Sequence, residues 1–289
     1  MKISVSSYSF NQYLSRGEMT QADTVEKAAE LGFSGIEFTD LVPKGENTLS
    51  ARVKYAEILR KKAEECGISV VAYAIGASLF NPDAEKRASE VLRVCDELEV
   101  AAALGAPLMR HDVTWSLDFD GRRYSFDRQL PYIAESAREI TERAEKLGIK
   151  TCTENHGFIA QDSDRMERLF NAVGHENYGL LCDIGNFACV DEDSTAAVSR
   201  VAPYAIHVHA KDFYIRDFGE KPYSDKYFMS RGCRSLVGAV LGEGDIKTAC
   251  CMAILKKAGY DGYVSIEYEG AEECVSALTR GICNLEKII

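Results

Sequence analysis

Acidic and imidazole side chains end four of the short apolar runs in the second half of the sequence. Glu154 lies in CTENH, Asp183 in CDIGN, His209 in HVHAKD and Glu267 in SIEYEG. Each such group needs something to compensate for its burial, because an unpaired buried charge is costly, and coordination to a cation is one such compensation. These four side chains are therefore the first candidates for a chemical site, provided that the fold brings them together.

Side-chain alternation along two of these runs separates polar from apolar residues. In residues 205–211 the polar side chains are His207, His209 and Lys211, and the residues between them are apolar. Residues 264–269 alternate in the same way. Successive side chains of a strand point to opposite faces, so the polar set would face one interior space and the apolar set the surrounding helices.

Other polar residues occupy similar positions earlier in the chain. Arg110 and His111 are adjacent, so alternation allows only one of them to face the interior. We interpret His207 as a hydrogen-bonded residue of the strand rather than a ligand. The complete set in chain order is Glu37, Arg110, His111, Glu154, His156, Asp183, Asn186, His207, His209, Lys211, Glu267 and Glu269.

A repeated phrase indicates the elements that position these residues. An amphipathic helical pattern ends in Gly, an apolar residue follows, and a short apolar strand begins. Gly adopts the left-handed conformation just past a helix at little cost, so each phrase predicts a helix end and a strand start. Further strands are predicted near 2–7, 178–187 and 205–212, which brings the total to eight. The glycines that carry the phrase are Gly32, Gly67, Gly105, Gly148 and Gly259.

Strict alternation of strands and helices predicts parallel pairing, and eight units predict closure into a (β/α)8 TIM barrel, an α/β fold. An open doubly wound sheet is the alternative. The sequence has no G-x-G-x-x-G after the first strand, which disfavours the nucleotide-binding version of that alternative. No Pro/Gly/Ser-rich linker divides the chain, so we interpret residues 1–289 as a single domain.

Two segments interrupt the alternation. We predict a long loop at about 213–245, after the seventh strand, and connections of this length usually form lids or binding loops. A shorter excursion at 113–125 follows the fourth strand and carries the only tryptophan, Trp115.

The ordered motifs ENH, CDIGN, HVHAKD and SIEYEG resemble those of the xylose isomerase-like superfamily. Within it they are most similar to the sugar phosphate isomerase/epimerase group, which includes ketose 3-epimerases and inosose dehydratases. The resemblance follows the motif order over nearly the whole chain and is strongest from Thr151 to Gly270. It implies one divalent metal ion, with the ligands Glu154, Asp183, His209 and Glu267.

The resemblance also implies that Glu154 and Glu267 act as an acid/base pair. Three carboxylates and one imidazole form an oxygen-rich ligand set that suits Mn²⁺ or Mg²⁺, with Co²⁺ and Zn²⁺ as alternatives. The chain departs from the epimerase pattern at Asn186, where those enzymes often have His. The segment after strand seven also lacks their usual Arg-containing continuation.

Together these features predict a divalent-metal-dependent isomerase or epimerase of a sugar, keto-sugar or cyclitol. It would abstract a proton α to a metal-polarised carbonyl. A lyase or dehydratase acting on a keto-polyol or keto-sugar is the alternative, because the same site supports elimination. A non-catalytic sugar-binding subunit and an endonuclease IV-like nuclease are more remote alternatives. The residues predicted to contact the substrate are Glu37, His111, His156, Asn186, Lys211 and Trp115.

Charge and composition restrict the partners. Lys and Arg number 34 against 45 Asp and Glu, a net charge of −11, which argues against a nucleic-acid surface because phosphate binding needs a basic face. The ten cysteines include no C-x-x-C pair, the N-terminus has no signal-peptide pattern, and no run approaches 18 apolar residues. We expect a cytoplasmic protein with a small carbohydrate substrate, no nucleic-acid or membrane partner, and a homo-oligomer as an alternative to a monomer.

Overall fold

The eight predicted strands pair in chain order and close into a parallel barrel, the eighth pairing with the first. The computed structural model describes all 289 residues. The closed parallel barrel confirms the predicted (β/α)8 fold and excludes the open doubly wound sheet. The strands are β1 Lys2–Ser6, β2 Gly35–Thr39, β3 Ser69–Ile75, β4 Leu108–His111, β5 Lys150–Glu154, β6 Tyr178–Asp183, β7 Ala205–Ala210 and β8 Tyr263–Ile266.

One helix of eight or more residues follows each strand and packs outside the barrel. These helices are α1 Gln21–Glu30, α2 Leu49–Cys66, α3 Ala84–Leu104, α4 Phe126–Glu145, α5 Ser163–Val173, α6 Ser194–Val201, α7 Thr248–Lys257 and α8 Cys274–Glu286. Short helical turns lie at Ser7–Phe10, Asn11–Leu14, Asn186–Val190 and Ala202–Tyr204.

Local sequence signals set the helix boundaries. Thr20 caps α1 in a reciprocal capping box with Asp23. Asp83 caps α3 by accepting hydrogen bonds from two backbone N–H groups of the first turn. At the carboxyl ends of α2 and α3, Gly67 and Gly105 have φ of 71° and 74°, a region that favours glycine. The repeated phrase therefore marks helix ends as predicted.

The barrel interior has an apolar part and a polar part. A core of 67 buried apolar residues fills the space between barrel and helices, and a second cluster of five lies inside the barrel. Side chains two residues apart in a strand share a face. Three members of the inner cluster lie two residues before a polar residue, so that polar residue also points inward. They are Leu108 before Arg110, Cys152 before Glu154 and Leu181 before Asp183. Polar side chains therefore collect toward the carboxyl ends of the strands.

The segment predicted as a long loop at 213–245 is not structureless. It contains a three-stranded antiparallel sheet formed by Asp212–Arg216, Phe228–Met229 and Ser235–Ala239. Phe213 is completely buried and its ring lies edge-on to Phe228 at 5.5 Å between centroids. These apolar contacts join parts of the segment that are distant in sequence. Local sequence patterns do not report such contacts, so the sequence predicts a loop where a sheet forms.

Two further features concern the whole chain. All ten cysteines are free thiols. None of the helices combines the length and the apolar character that crossing a membrane requires.

Candidate metal centre

The four predicted ligands meet at the carboxyl end of the barrel. Glu154 ends β5, Asp183 ends β6, His209 lies in β7 and Glu267 directly follows β8. One ligand atom from each lies within 4.8 Å of the others. His209 Nδ1 is 3.6 Å from Glu154 Oε1, 3.9 Å from Asp183 Oδ2 and 3.7 Å from Glu267 Oε2. Consecutive parallel strands thus bring three carboxylates around one imidazole nitrogen.

Two of these atoms are buried without a hydrogen-bond partner. They are Asp183 Oδ2 and His209 Nδ1, in side chains that are at most 1% exposed. The other carboxylate oxygen of Asp183, Oδ1, accepts hydrogen bonds from the backbone N–H groups of Gly185 (2.8 Å) and Asn186 (3.0 Å). Buried polar atoms are normally satisfied, so a site for an electropositive group lies between these two. This donor set fits a divalent cation.

Glu37 holds His209 from the opposite side. Both carboxylate oxygens of Glu37 lie 3.0 Å from His209 Nε2, and Oε2 is also 2.7 Å from His207 Nε2. Burial opposes the charge on Glu37, but the two imidazoles hold its pKa at about 2. An ionised Glu37 accepts from Nε2–H of His209, which leaves the Nδ1 lone pair for a ligand. Glu37, predicted to contact the substrate, lines the cavity, and both of its carboxylate oxygens lie within hydrogen-bond distance of the histidines.

Glu154 is positioned by two neighbours. Its Oε2 lies 2.6 Å from an Arg110 guanidinium nitrogen, and its Oε1 accepts a 2.9 Å hydrogen bond from Asn186 Nδ2. Burial would raise the pKa of Glu154, but the charges of Arg110 and His209 hold it well below its usual range. Asn186 was predicted to contact the substrate; it is buried and contacts Glu154 and Lys211 instead.

Lys211 forms an ion pair with Glu267, as Arg110 does with Glu154. Its ammonium group is 2.7 Å from Glu267 Oε2, 3.6 Å from Asp183 Oδ2 and 3.8 Å from Glu269 Oε1. Burial opposes the charge, but the surrounding carboxylates raise the pKa of Lys211 well above its usual value. Each of the two glutamates therefore has its own cation, Arg110 for Glu154 and Lys211 for Glu267.

A cavity of about 290 Å³ opens over this cluster. This volume is close to the lower end for small-molecule sites, roughly 300 Å³. Carboxylates outnumber the permanent cations in its lining, an imbalance that favours a bound cation. The charged residues are Glu37, Asp40, Asp112, Glu154, Glu267 and Glu269 against Arg110 and Lys211.

On β4, the structure places Arg110 rather than His111 at the cavity. Arg110 pairs in register with Cys152, which faces the barrel interior, so His111 faces the opposite side. His111 is completely buried, its Nδ1 lies 3.0 Å from the Asp112 carbonyl, and burial lowers its pKa to about 4. His111, predicted to contact the substrate, therefore lies outside the cavity lining.

His156 and Trp115, both predicted to contact the substrate, lie on the wall of the cavity. His156 Nδ1 is 3.1 Å from Asp112 Oδ1. Burial would lower the pKa of His156, but the hydrogen bond to this carboxylate outweighs burial and raises the pKa. Trp115 is about half exposed and meets the His156 ring edge-on at 5.2 Å. Both side chains reach the open part of the cavity.

The predicted substrate contacts omit two lining residues recognised at strand ends and several others that the sequence did not single out. Arg110 and Glu269 were recognised as strand-end polar residues but were not predicted to contact the substrate. The alternation Leu108–Arg110 along β4 is the signal that would have selected Arg110. Asp40 and Asp112 lie in loops just past strand ends, Tyr8 lies in the short helical turn Ser7–Phe10, and none of the three carries a periodic signal.

Solved structures with the same fold include enzymes of two reaction types. A D-psicose 3-epimerase from Clostridium cellulolyticum H10, determined with D-tagatose, has a TM-score of 0.71 and 20% identity, covering 99% of this chain and 98% of that one. The probable 3-DHS dehydratase AsbF of Bacillus anthracis, involved in petrobactin synthesis, has a TM-score of 0.72 and 17% identity, covering 99% of each chain. At these identities the likeness shows the fold.

A curated relative and a family model complete the comparison. The rhizopine catabolism protein MocC of Rhizobium meliloti is 29% identical over 132 residues, which are 45% of this chain and 40% of MocC. The chain thus aligns with less than half the length of this relative. The model of the xylose isomerase-like TIM barrel family matches residues 25–283. The chain belongs to the xylose isomerase-like TIM barrel family.

Proposed function

We propose that this protein is a divalent-metal-dependent isomerase or epimerase of a keto-sugar or cyclitol. The observation that carries the proposal is the convergence of Glu154, Asp183, His209 and Glu267, with two buried donor atoms left unpartnered between them. Mn²⁺ or Mg²⁺ suits this oxygen-rich set, and Co²⁺ and Zn²⁺ are alternatives. Such a cation would polarise the substrate carbonyl and lower the pKa of the adjacent C–H.

The protein's own residues would move the proton. Glu154 and Glu267 stand on β5 and after β8, on either side of the Asp183–His209 pair. One glutamate would take the proton from one face of the substrate carbon, and the other would return a proton from the opposite face. Arg110 and Lys211 stabilise the ionised forms of the two glutamates, so either one can start as the base. The other would first take up a proton from solvent or from a substrate hydroxyl and then return it to the carbon.

The sugar would be held over these glutamates by His156, Trp115, Lys211 and Arg110. Arg110 and Lys211 present N–H donors, and the Trp115 ring offers an apolar face. His111 faces away from the cavity, and Glu37 and Asn186 would act through His209 and Glu154. The predicted substrate is therefore a small polyhydroxylated carbonyl compound.

Elimination of water is the second candidate, and the position of Lys211 favours it. Its ammonium group is buried 2.7 Å from Glu267. A protonated amine beside the candidate base can donate a proton to a departing β-hydroxyl, which would give a lyase instead of an epimerase.

Incubation of the Mn²⁺-loaded protein with a panel of keto-sugars and keto-cyclitols in D₂O tests both candidates. Deuterium at the α-carbon of a product of unchanged skeleton supports epimerisation, and an α,β-unsaturated carbonyl product supports elimination. Glu154→Gln and Glu267→Gln are expected to lower turnover by about 10²–10⁴-fold. Glu65→Gln, an exposed glutamate on α2, is the control. Full turnover in both site variants would refute the acid/base assignment.

A further inference from the structure

A second cleft shares three wall residues with the catalytic cavity. Tyr8, Thr39 and Asp40 line both spaces. The second cleft has a volume of about 470 Å³, larger than the 290 Å³ of the cavity itself. A ligand bound over the metal ligands could therefore extend past these three residues into the cleft.

The cleft differs from the cavity in chemistry. The cavity is dominated by carboxylates, whereas the cleft carries four apolar or aromatic side chains besides Tyr8. Val42 among them is 66% exposed, so its side chain is available to a ligand in the cleft. These four residues, which we term the apolar cleft, are Leu14, Met19, Val42 and Tyr55.

Hydrogen bonds from α1 fix the wall shared by the two spaces. The Gln21 amide nitrogen donates to the carbonyls of Thr39 (3.1 Å) and Asp40 (3.0 Å), and its oxygen accepts from Val42 N–H (3.0 Å). The chain after β2 is therefore held in place before any ligand binds. A preformed wall lowers the entropic cost of binding.

Asp40 stands at the junction in an unusual backbone conformation. Its φ is +31°, which is rare for a residue with a Cβ, and such conformations concentrate at functional sites. Its carboxylate makes no hydrogen bond or ion pair within the protein, although burial raises its pKa. Asp40 is exposed, so its carboxylate is available as an acceptor to a substrate hydroxyl at the junction.

We propose that the substrate is a polyol ring bearing an apolar, ring-sized substituent. The polyol ring occupies the catalytic cavity, Asp40 accepts a hydrogen bond from a hydroxyl next to the linkage, and the substituent packs in the apolar cleft. This assignment rests on the proposed function for the identity of the polyol, and on the cleft alone for the substituent. Aryl glycosides of keto-sugars are the class that combines both parts.

Binding of two simple probes tests the substituent independently of turnover. Isothermal titration of the Mn²⁺-loaded protein compares phenyl β-D-glucopyranoside with methyl β-D-glucopyranoside. Burial of the phenyl ring in the cleft is expected to make the phenyl compound bind about tenfold more tightly or better. Equal affinities, or no measurable binding of the phenyl compound, would overturn the proposal.

Matched variants locate the preference. Val42→Glu places a charge in the cleft and is expected to abolish the phenyl preference. Leu92→Glu makes the same kind of change at a 53% exposed apolar residue of α3 and should retain the preference. Loss of the preference in both variants, or in neither, would contradict the assigned cleft. Asp40→Asn should weaken binding of both probes.

Failure of this proposal is distinguishable from failure of the proposed function. Absence of deuterium exchange and product with all carbonyl substrates, together with a clear phenyl preference, would refute the reaction but leave the cleft in place. Turnover of free keto-sugars with no gain from an aryl substituent would retain the reaction and refute the cleft.

Discussion

The imidazole of His209 is held by Glu37, whose two carboxylate oxygens each lie 3.0 Å from Nε2. The two residues are 172 positions apart in the sequence and meet across the barrel between β2 and β7. This contact turns Nδ1 of His209 toward the three acidic ligands. A histidine that binds a metal through one nitrogen is normally oriented by a partner at the other.

Glu37→Gln is expected to weaken metal binding without removing a ligand. The amide carries no charge to stabilise the Nε2–H tautomer of His209, so the affinity for Mn²⁺ should fall about 10–100-fold. Competition with a fluorescent chelator measures this affinity. Glu97→Gln is the control, because Glu97 is also buried and hydrogen-bonded, to Tyr73, but lies outside the candidate site. An unchanged affinity in Glu37→Gln would show that His209 does not depend on Glu37.

Metal loading is expected to raise the melting temperature. Asp183 Oδ2 and His209 Nδ1 are buried without a hydrogen-bond partner, and a bound cation would satisfy both. A metal at about 100 times its Kd stabilises the folded state by about 2.7 kcal/mol, which corresponds to a Tm increase of about 4–8 °C for a chain of this size. Differential scanning fluorimetry in Mn²⁺ and in EDTA checks this.

Asp183→Asn tests whether this increase arises at the proposed ligands. The variant should lose most of the metal-dependent increase in Tm, because an amide is a weaker ligand than a carboxylate. A wild-type Tm that is the same in Mn²⁺ and EDTA would argue against the metal centre.

His111 is expected to make stability fall in mild acid. Burial lowers its pKa to about 4 in the folded state, against about 6.5 in the unfolded chain. The unfolded state therefore binds more protons between these values, and stability decreases as the pH falls below about 6.5. The shift corresponds to a loss of about 2 kcal/mol between pH 7.5 and pH 5.

His111→Asn should flatten this pH dependence. Asn retains a side-chain N–H that can donate to the Asp112 carbonyl, but it does not titrate. Urea unfolding of both proteins at pH 7.5 and pH 5, with EDTA present, gives the difference. A pH dependence of equal size in the variant would assign it to other groups.

Asp212→Asn is expected to destabilise the three-stranded sheet after β7. The Asp212 carboxylate accepts hydrogen bonds from the backbone N–H groups of Gly242 (2.9 Å), Gly244 (3.0 Å) and Ile246 (3.1 Å). An amide presents one acceptor instead of two and turns N–H groups toward N–H groups, so the free energy of unfolding should fall by about 2–4 kcal/mol. Chemical denaturation measures it.

Asp217→Asn is the matched control for this segment. Asp217 pairs with Arg234 near the same sheet, but its side chain is 75% exposed, so the change should be within about 0.5 kcal/mol. Equal effects of the two substitutions would contradict the role of Asp212 in holding the turn at 242–246.

The sequence by itself determined the barrel and the order of the candidate ligands. Both depend on signals between neighbouring residues: glycines such as Gly67 that end helices, and the alternation that puts His207 and His209 on one face of β7. The likeness of the strand-end motifs to a known family placed Glu154 and Glu267 together before any geometry was available.

Only the tertiary structure decided what each polar residue contacts. Both carboxylate oxygens of Glu37 contact His209, Arg110 takes the cavity position on β4, and Asp40 lies in the walls of both the cavity and a second cleft. These outcomes depend on barrel closure and on strand register, including an irregularity between Ile36 and Glu37, and pair residues far apart in the chain. Local periodicity specifies the face on which a side chain lies, but the partner across the barrel depends on how eight strands close.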